Sequence, residues 1–123
     1  MISKALIAAS TKPIILSTLL GRQSYGYQII QKVKEVSGGT LEWSDGMLYP
    51  VLHRLEKDGL LVSHWKRSDE GRFRKYYGLT DLGRKDLEAE MSQWESVSAT
   101  LAKLWKPLAA SDQGMVLVTT TAS

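Results

Sequence analysis

No cysteine occurs among the 123 residues. That excludes disulfides, thiolate catalysis and cysteine-ligated zinc, and it fits a reducing compartment. Histidine is scarce. His53 and His64 stand alone, with no second histidine or carboxylate at metal-ligand spacing. No apolar run reaches the roughly 20 residues of a membrane span, because Lys4, Lys12 and Pro13 interrupt the apolar N-terminal stretch. A signal peptide with a charged start, an unbroken apolar run and a small-residue cleavage site is not cleanly present. The turn glycines in "SGG" and "DGL" have no following Lys-Ser/Thr and do not cradle phosphate. With no nucleophile–base pair and no cofactor loop, the sequence does not read as an enzyme. The expectation is a cytoplasmic protein with no metal, cofactor or membrane partner.

What is present is a mild net charge of +3, which permits nucleic-acid binding without arguing for it. Its distribution says more: Arg67, Arg72, Arg74 and Lys75 fall in one short segment, diluted by Asp69 and Glu70. From Ser3 to Leu20, apolar residues at spacings of three and four predict a helix, which kinks near Ala9 or begins at Pro13. Ser24 can cap a second helix over 25–36, with Tyr27, Ile30, Val33 and Ile29 as its inward residues. Thr40 to Trp43 is β-prone and offers a third strand to the hairpin that follows. Ser44 or Asp45 can cap a third helix with the stripe Leu48, Val51, Leu52 and Leu55, which Gly59 ends. "LLVSHW" and "RFRKYYGL" flank the turn "SDEG" as two strands. Tyr76 and Tyr77 point to opposite faces, one to the core and one to the surface. Trp43 and Trp65 are expected to pack in the wing and core.

Thr80 can cap a last helix over 81–106, ended by Pro107. Its apolar stripe, from Leu87 through Met91, Trp94, Val97, Leu101 and Leu104 to Trp105, is longer than so small a domain can cover and calls for a second copy of the chain. Residues 108–123 lack helical period and read as a flexible tail, in which "MVLVTTT" is β-prone.

Three helices followed by a two-stranded basic hairpin is the plan of a winged helix-turn-helix, mainly α with a small β wing. The helix after the turn presents its N-terminal residues to base edges in the major groove. "GMLYPVLHRLEKDGLL", "GRFRKYYGLTDLGRKDL" and "YGYQIIQKV" resemble the PadR family of bacterial transcriptional regulators, in its short branch with one C-terminal helix, which includes multidrug-sensing repressors. The expected division is a winged-helix domain over 1–79, a dimerisation helix over 80–107 and a tail over 108–123. The resemblance implies a homodimer on double-stranded DNA with an inverted-repeat operator, acting as a repressor. By position, Ser44, Asp45, Gly46, Met47, Tyr49, Arg54, Arg72, Arg74 and Lys75 are the DNA-binding candidates. The resemblance also implies a small aromatic or hydrophobic effector stacked between Trp94 and its symmetry mate, in a site with Leu6, Ala9, Pro13, Met91, Val97 and Ser98. Ser98 stands where a carboxylate favours cationic drugs in those sensors, and Pro13 is near the pore-facing position of the first helix.

Each assignment has a plainer alternative. The start of the third helix is otherwise a solvated helix surface. Tyr49 packs, or its hydroxyl reaches a phosphate. Arg72, Arg74 and Lys75 are otherwise a solvated hairpin rim. Trp94 is otherwise a core or interface anchor. A winged-helix module for protein–protein contact without an effector is the rival function.

Overall fold

Helix α1 (Lys4–Thr18) starts at Ser3, whose Oγ accepts the Leu6 N–H at 3.2 Å. It does not begin at Pro13 but runs through it. Before the proline, Ser10 Oγ donates to the Leu6 carbonyl at 2.8 Å and Thr11 Oγ1 to the Ile7 carbonyl at 2.7 Å. Such hydroxyl back-bonding lets a helix absorb a local bend. Ile15, Leu16 and Leu19 carry its buried face. The computed structural model describes residues 1–114. Residues 1–89 form one compact unit, and a second begins at Glu90.

The next turn differs from the expectation. Ser24 does not cap a helix: Ser24–Tyr25 is a two-residue strand, β1. Helix α2 (Gly26–Val36) starts after it, with the Tyr25 N–H donating to Gln28 Oε1 at 3.3 Å. Its inward face is Gly26, Ile29 and Val33, at helical spacing, which turns Tyr27 out to 55 % exposure. Thr40 to Trp43 is not a strand. Thr40 Oγ1 donates to the Ser37 carbonyl at 2.9 Å and the Leu41 N–H donates to Ser37 Oγ at 3.0 Å. These local bonds fold the segment back on the end of α2 and take up groups a ladder needs. Trp43 instead joins the core.

Helix α3 (Asp45–Lys57) leads through Gly59, at φ 82°, into β2 (Leu61–Arg67), and β3 (Phe73–Leu79) returns beside it. The sheet order is β1-β3-β2, antiparallel throughout, with Leu61 opposite Leu79 and Arg67 opposite Phe73. Leu48, Leu52 and Leu55 of α3 meet Ile15, Leu16, Ile29 and Tyr77 in one core. Tyr76 and Tyr77 are both buried. Tyr77 faces the helices, and Tyr76, on the other face, is covered by the Tyr25 ring at 5.3 Å and by Lys66 Nζ at 4.4 Å. Trp65 is not packed in the core; it is 66 % exposed, because it lies on the outer half of the hairpin.

Helix α4 (Asp81–Gly114) is capped by Thr80, whose Oγ1 accepts the Gly83 N–H at 2.9 Å. It does not end before Pro107. The proline ring suits helical φ and costs the bond to the Lys103 carbonyl. Lys103 is exposed, so that carbonyl can be hydrated. Residues 108–114, expected in the tail, are therefore helical. "MVLVTTT" lies outside the described residues.

Candidate nucleic-acid interface

Ser44, not Asp45, is the cap of α3. Its Oγ accepts the Met47 N–H at 3.2 Å, and Asp45 stands in the first turn. An acidic residue there also complements the positive end of the helix. With Leu48, Leu52 and Leu55 turned inward, Ser44, Asp45 and Gly46 are left exposed and Met47 half-buried. The surface over Gly46 is open: a Cβ built there comes no nearer than 4.0 Å to another atom, Ser44 Oγ. Arg54 is exposed two turns further on. Tyr49 has a different setting. It is half-buried against the start of α2, so close that a Cβ on Gly26 falls 2.7 Å from Tyr49 Cζ. The missing side chain at Gly26 is what allows the two helices to cross there.

The wing brings the cations together but does not present them alike. Arg72 is exposed beside the turn. That turn is closed by the Ser68 N–H donating to the Arg72 carbonyl at 2.7 Å, with Gly71 at φ 83°. Arg74 is half-buried, with its guanidinium 4.7 Å from the Tyr25 ring centre and a buried Nε that has no hydrogen-bond partner. Lys75 is half-buried on the opposite face. Its Nζ is 3.8 Å from Glu56 Oε1, and Glu56 Oε2 accepts the Ser63 hydroxyl at 2.5 Å. Glu56 thus ties α3 to both wing strands. Burial pushes the Tyr77 phenol up from its ordinary pKa, aided by Glu56 and then Tyr49. The Tyr77 hydroxyl has no partner. The Tyr76 phenol is also raised, by burial first and then by Tyr25, Asp69 and Glu70.

Two further cations join this surface: Lys66, which sequence reasoning did not single out, and Arg67, which it placed in the basic segment but not among the DNA-binding candidates. Lys66 lies over Tyr76, and Arg67 lies 4.6 Å over Phe73 while its Nη1 donates to the Gly71 carbonyl at 2.7 Å. The available signal was the strand register, which sets Lys66 opposite Arg74 and Arg67 opposite Phe73.

The residues assigned to an effector divide between the two units. In the first, Leu6 and Ala9 are exposed and Pro13 is buried. In the second, Met91, Trp94, Val97 and Ser98 are exposed along α4, and Trp94 Nε1 donates to Glu90 Oε1 at 3.2 Å. A cleft of about 430 Å³ beside α2, reaching Thr18, Arg22, Gln28 and Lys32, includes none of them.

Comparison with known proteins agrees with this geometry. Residues 15–89 match the model of the transcriptional regulator PadR-like family. A transcriptional regulator of Mycobacterium tuberculosis is 43% identical over 65 residues, 53% of this chain and 60% of that protein. A transcriptional regulator from Clostridium thermocellum superposes with a TM-score of 0.74 at 29% identity, covering 84% of this chain and 97% of that one. A PadR-like transcriptional regulator from Bacillus cereus gives 0.74 at 31% identity, over 82% and 96% of the two chains. These are regulators, not enzymes. Among the described residues no helix is long and apolar enough to cross a membrane. With its matched segment running from the last turn of α1 through α2, α3 and the hairpin to the first turns of α4, the chain belongs to the PadR-like family of transcriptional regulators.

Proposed function

We propose that the protein is a homodimeric repressor that binds double-stranded DNA at an inverted-repeat operator and is released by a flat aromatic ligand. The observation that carries the DNA reading is the exposed, open N-terminal turn of α3, together with a hairpin that is tied to α3 through Glu56 and carries five cations, Lys66, Arg67, Arg72, Arg74 and Lys75. In this reading α3 enters the major groove, and Ser44, Asp45, Gly46 and Met47 meet base edges. Arg54 and Arg72 neutralise phosphates, with Arg74 and Lys75 behind them on the wing. Tyr49 fixes the angle of α3 on α2. The dimer reading is supported by α4, where Val97, Leu104 and Trp105 are 58, 68 and 57 % exposed; an apolar surface of that kind fits a second copy. Two Trp94 rings near the two-fold axis make a slot for a planar ligand. Met91 and Val97 line it, and Ser98 adds a hydroxyl rather than a charge. A ligand wedged there alters the spacing of the two α3 helices, which an operator tolerates poorly.

The test is binding selection from a pool of random duplexes, followed by affinity measurement against salt. Enriched duplexes should carry inverted repeats with half-sites about 10 base pairs apart, or a multiple of that. Affinity should fall steeply as salt rises. A protein that enriches no duplex and shows no salt-dependent affinity refutes the reading and favours a protein–protein module.

A further inference from the structure

The hairpin carries two large aromatic side chains that the fold leaves uncovered. Trp65 is 66 % exposed and Phe73 is 61 % exposed. The register fixes their direction. Ser63 stands opposite Tyr77, Trp65 opposite Lys75 and Arg67 opposite Phe73. Directly opposed residues share a sheet face, as do alternate residues of one strand. All six therefore lie on one face. At its inner end that face meets the helices, since Ser63 bonds Glu56 of α3 and Tyr77 is in the core. Trp65 and Phe73 continue the same face outward as diagonal neighbours. They lie on the sheet face that meets α3 at Glu56, the side on which the DNA reading places the duplex.

The pair is also held in place. Arg67 lies over the Phe73 ring at 4.6 Å and is anchored to the Gly71 carbonyl at 2.7 Å. The turn beyond it is closed by buried Ser68, whose Oγ accepts the Arg72 N–H at 3.3 Å. An exposed aromatic pair on a braced hairpin, flanked by cations, matches one surface in particular. Phosphates line the rims of the DNA minor groove, sugars form its apolar walls, and beyond the base edges of its floor lie the apolar faces of the stacked bases.

We propose that Trp65, backed by Phe73, is an apolar wedge that enters the minor groove beside the half-site read by α3 and partly unstacks one base step. The proposal rests on the DNA reading above. A side chain inserted between base pairs bends the duplex away from itself and lets more protein surface reach the phosphates. The work of unstacking depends on the step, and pyrimidine–purine steps yield most easily. Trp65 thus confers sequence preference at base pairs that no hydrogen bond reads. This differs from the part played by Arg72, which acts through charge alone.

The experiment uses the full chain and a duplex recovered by binding selection, built in two forms: a TA step or an A-tract in the wing-facing segment. Wild type, Trp65→Thr, Phe73→Thr and Arg72→Ala are compared for affinity, salt slope and bend angle, the last from energy transfer between end labels. Threonine keeps strand propensity, and thermal melts check that each variant is folded. The expected result is that Trp65→Thr weakens binding at least about tenfold, the scale of one aromatic–base contact. It should also reduce the bend and lose the preference for the TA step, with the salt slope unchanged. Arg72→Ala should do the reverse, lowering the slope and keeping bend and preference. Wild-type affinity, bend and step preference in Trp65→Thr overturn the wedge, leave the DNA reading standing, and point to a protein on that face. A uniform loss of affinity with bend and preference intact also overturns it. Failure of the wild type to enrich any duplex removes both readings together.

Discussion

Gly83, in the first turn of α4, allows a stringent test of the packing, because two effects of opposite sign compete there. Its φ is not positive, so a glycine there is a poor choice for the helix, and replacement by alanine gains about 1 kcal/mol of helix propensity. Against that stands a close approach. A Cβ built on Gly83 falls on the Leu60 carbonyl oxygen, 3.0 Å from the Leu60 carbonyl carbon and 3.2 Å from Leu79 Cδ2. Backbone cannot swing aside as a side-chain end can, so the helix must back away from the turn that precedes β2. The same Leu60 carbonyl accepts the Thr80 N–H at 3.1 Å, and Thr80 Oγ1 donates to the Gly59 carbonyl at 2.6 Å. Displacement strains both. Overpacking costs about 1–3 kcal/mol, and loss of one of these hydrogen bonds adds about 1 kcal/mol. Subtracting the propensity gain leaves a net destabilisation of about 1–3 kcal/mol for Gly83→Ala. Urea unfolding followed by circular dichroism, at one fixed protein concentration so that association does not shift the midpoint, should show it. The melting temperature should fall by about 4–8 °C for each kcal/mol. An alanine variant as stable as wild type, or more stable, refutes the reasoning: it would mean that α4 does not seat on Leu60.

Arg72→Ala should lower the slope of log affinity against log salt by about one unit, whereas Lys75→Ala should change it less, because Glu56 already holds that charge; equal slopes in the two variants contradict the difference in presentation. Gly46→Val should remove specific DNA binding while the melting curve stays within about 1 kcal/mol of wild type for an exposed helix site; retained operator footprints would place the recognition surface elsewhere. Tyr77→Phe deletes a buried hydroxyl that has no partner and should be neutral or stabilising by about 1 kcal/mol at pH 7. The folded phenol titrates above the unfolded one, so its contribution is full below pH about 10 and is lost as pH rises through the folded value. Wild type should therefore lose stability above pH 10 more steeply than Tyr77→Phe, with Tyr76 leaving a residual slope; parallel curves would remove Tyr77 from the account. Trp94→Ala should abolish binding of planar dyes followed by ligand fluorescence, and equal titrations of variant and wild type would reduce Trp94 to a packing residue.

The parts of the molecule legible in the sequence are those whose cause is local. The serine before α3, its stripe of Leu48, Leu52 and Leu55, the Gly59 turn and the Thr80 cap all act within a few residues, and the structure has each of them. The parts not legible depend on distant chain. Ser24–Tyr25 is a strand only because β3 lies beside it, and by itself Ser24 looks like a helix cap. Thr40 to Trp43 has strand-forming residues, but Ser37 satisfies its backbone first. Tyr27 and Ile29 compete for the inward face, and the choice follows from Gly26 meeting Tyr49. Of the candidate site, the exposed turn of α3 was foreseeable. The unequal presentation of Arg72, Arg74 and Lys75 was not, because it depends on Tyr25 and Glu56, which are far from them in sequence.

The order β1-β3-β2 has one more consequence. Strand β2 lies at the rim of the sheet, and among the described residues nothing pairs with its outer side. Half of its backbone donors and acceptors are therefore open to any extended chain, an invitation to amyloid-like stacking between molecules. Val62 at 48 % exposure and Trp65 make that rim stickier. Lys66 and Arg67 act as gatekeepers, since stacking copies in register would set like charges against one another. The basic character of the wing thus also opposes edge-to-edge association of the hairpins. A variant that neutralises Lys66 and Arg67 to reduce DNA binding would leave the bare strand exposed.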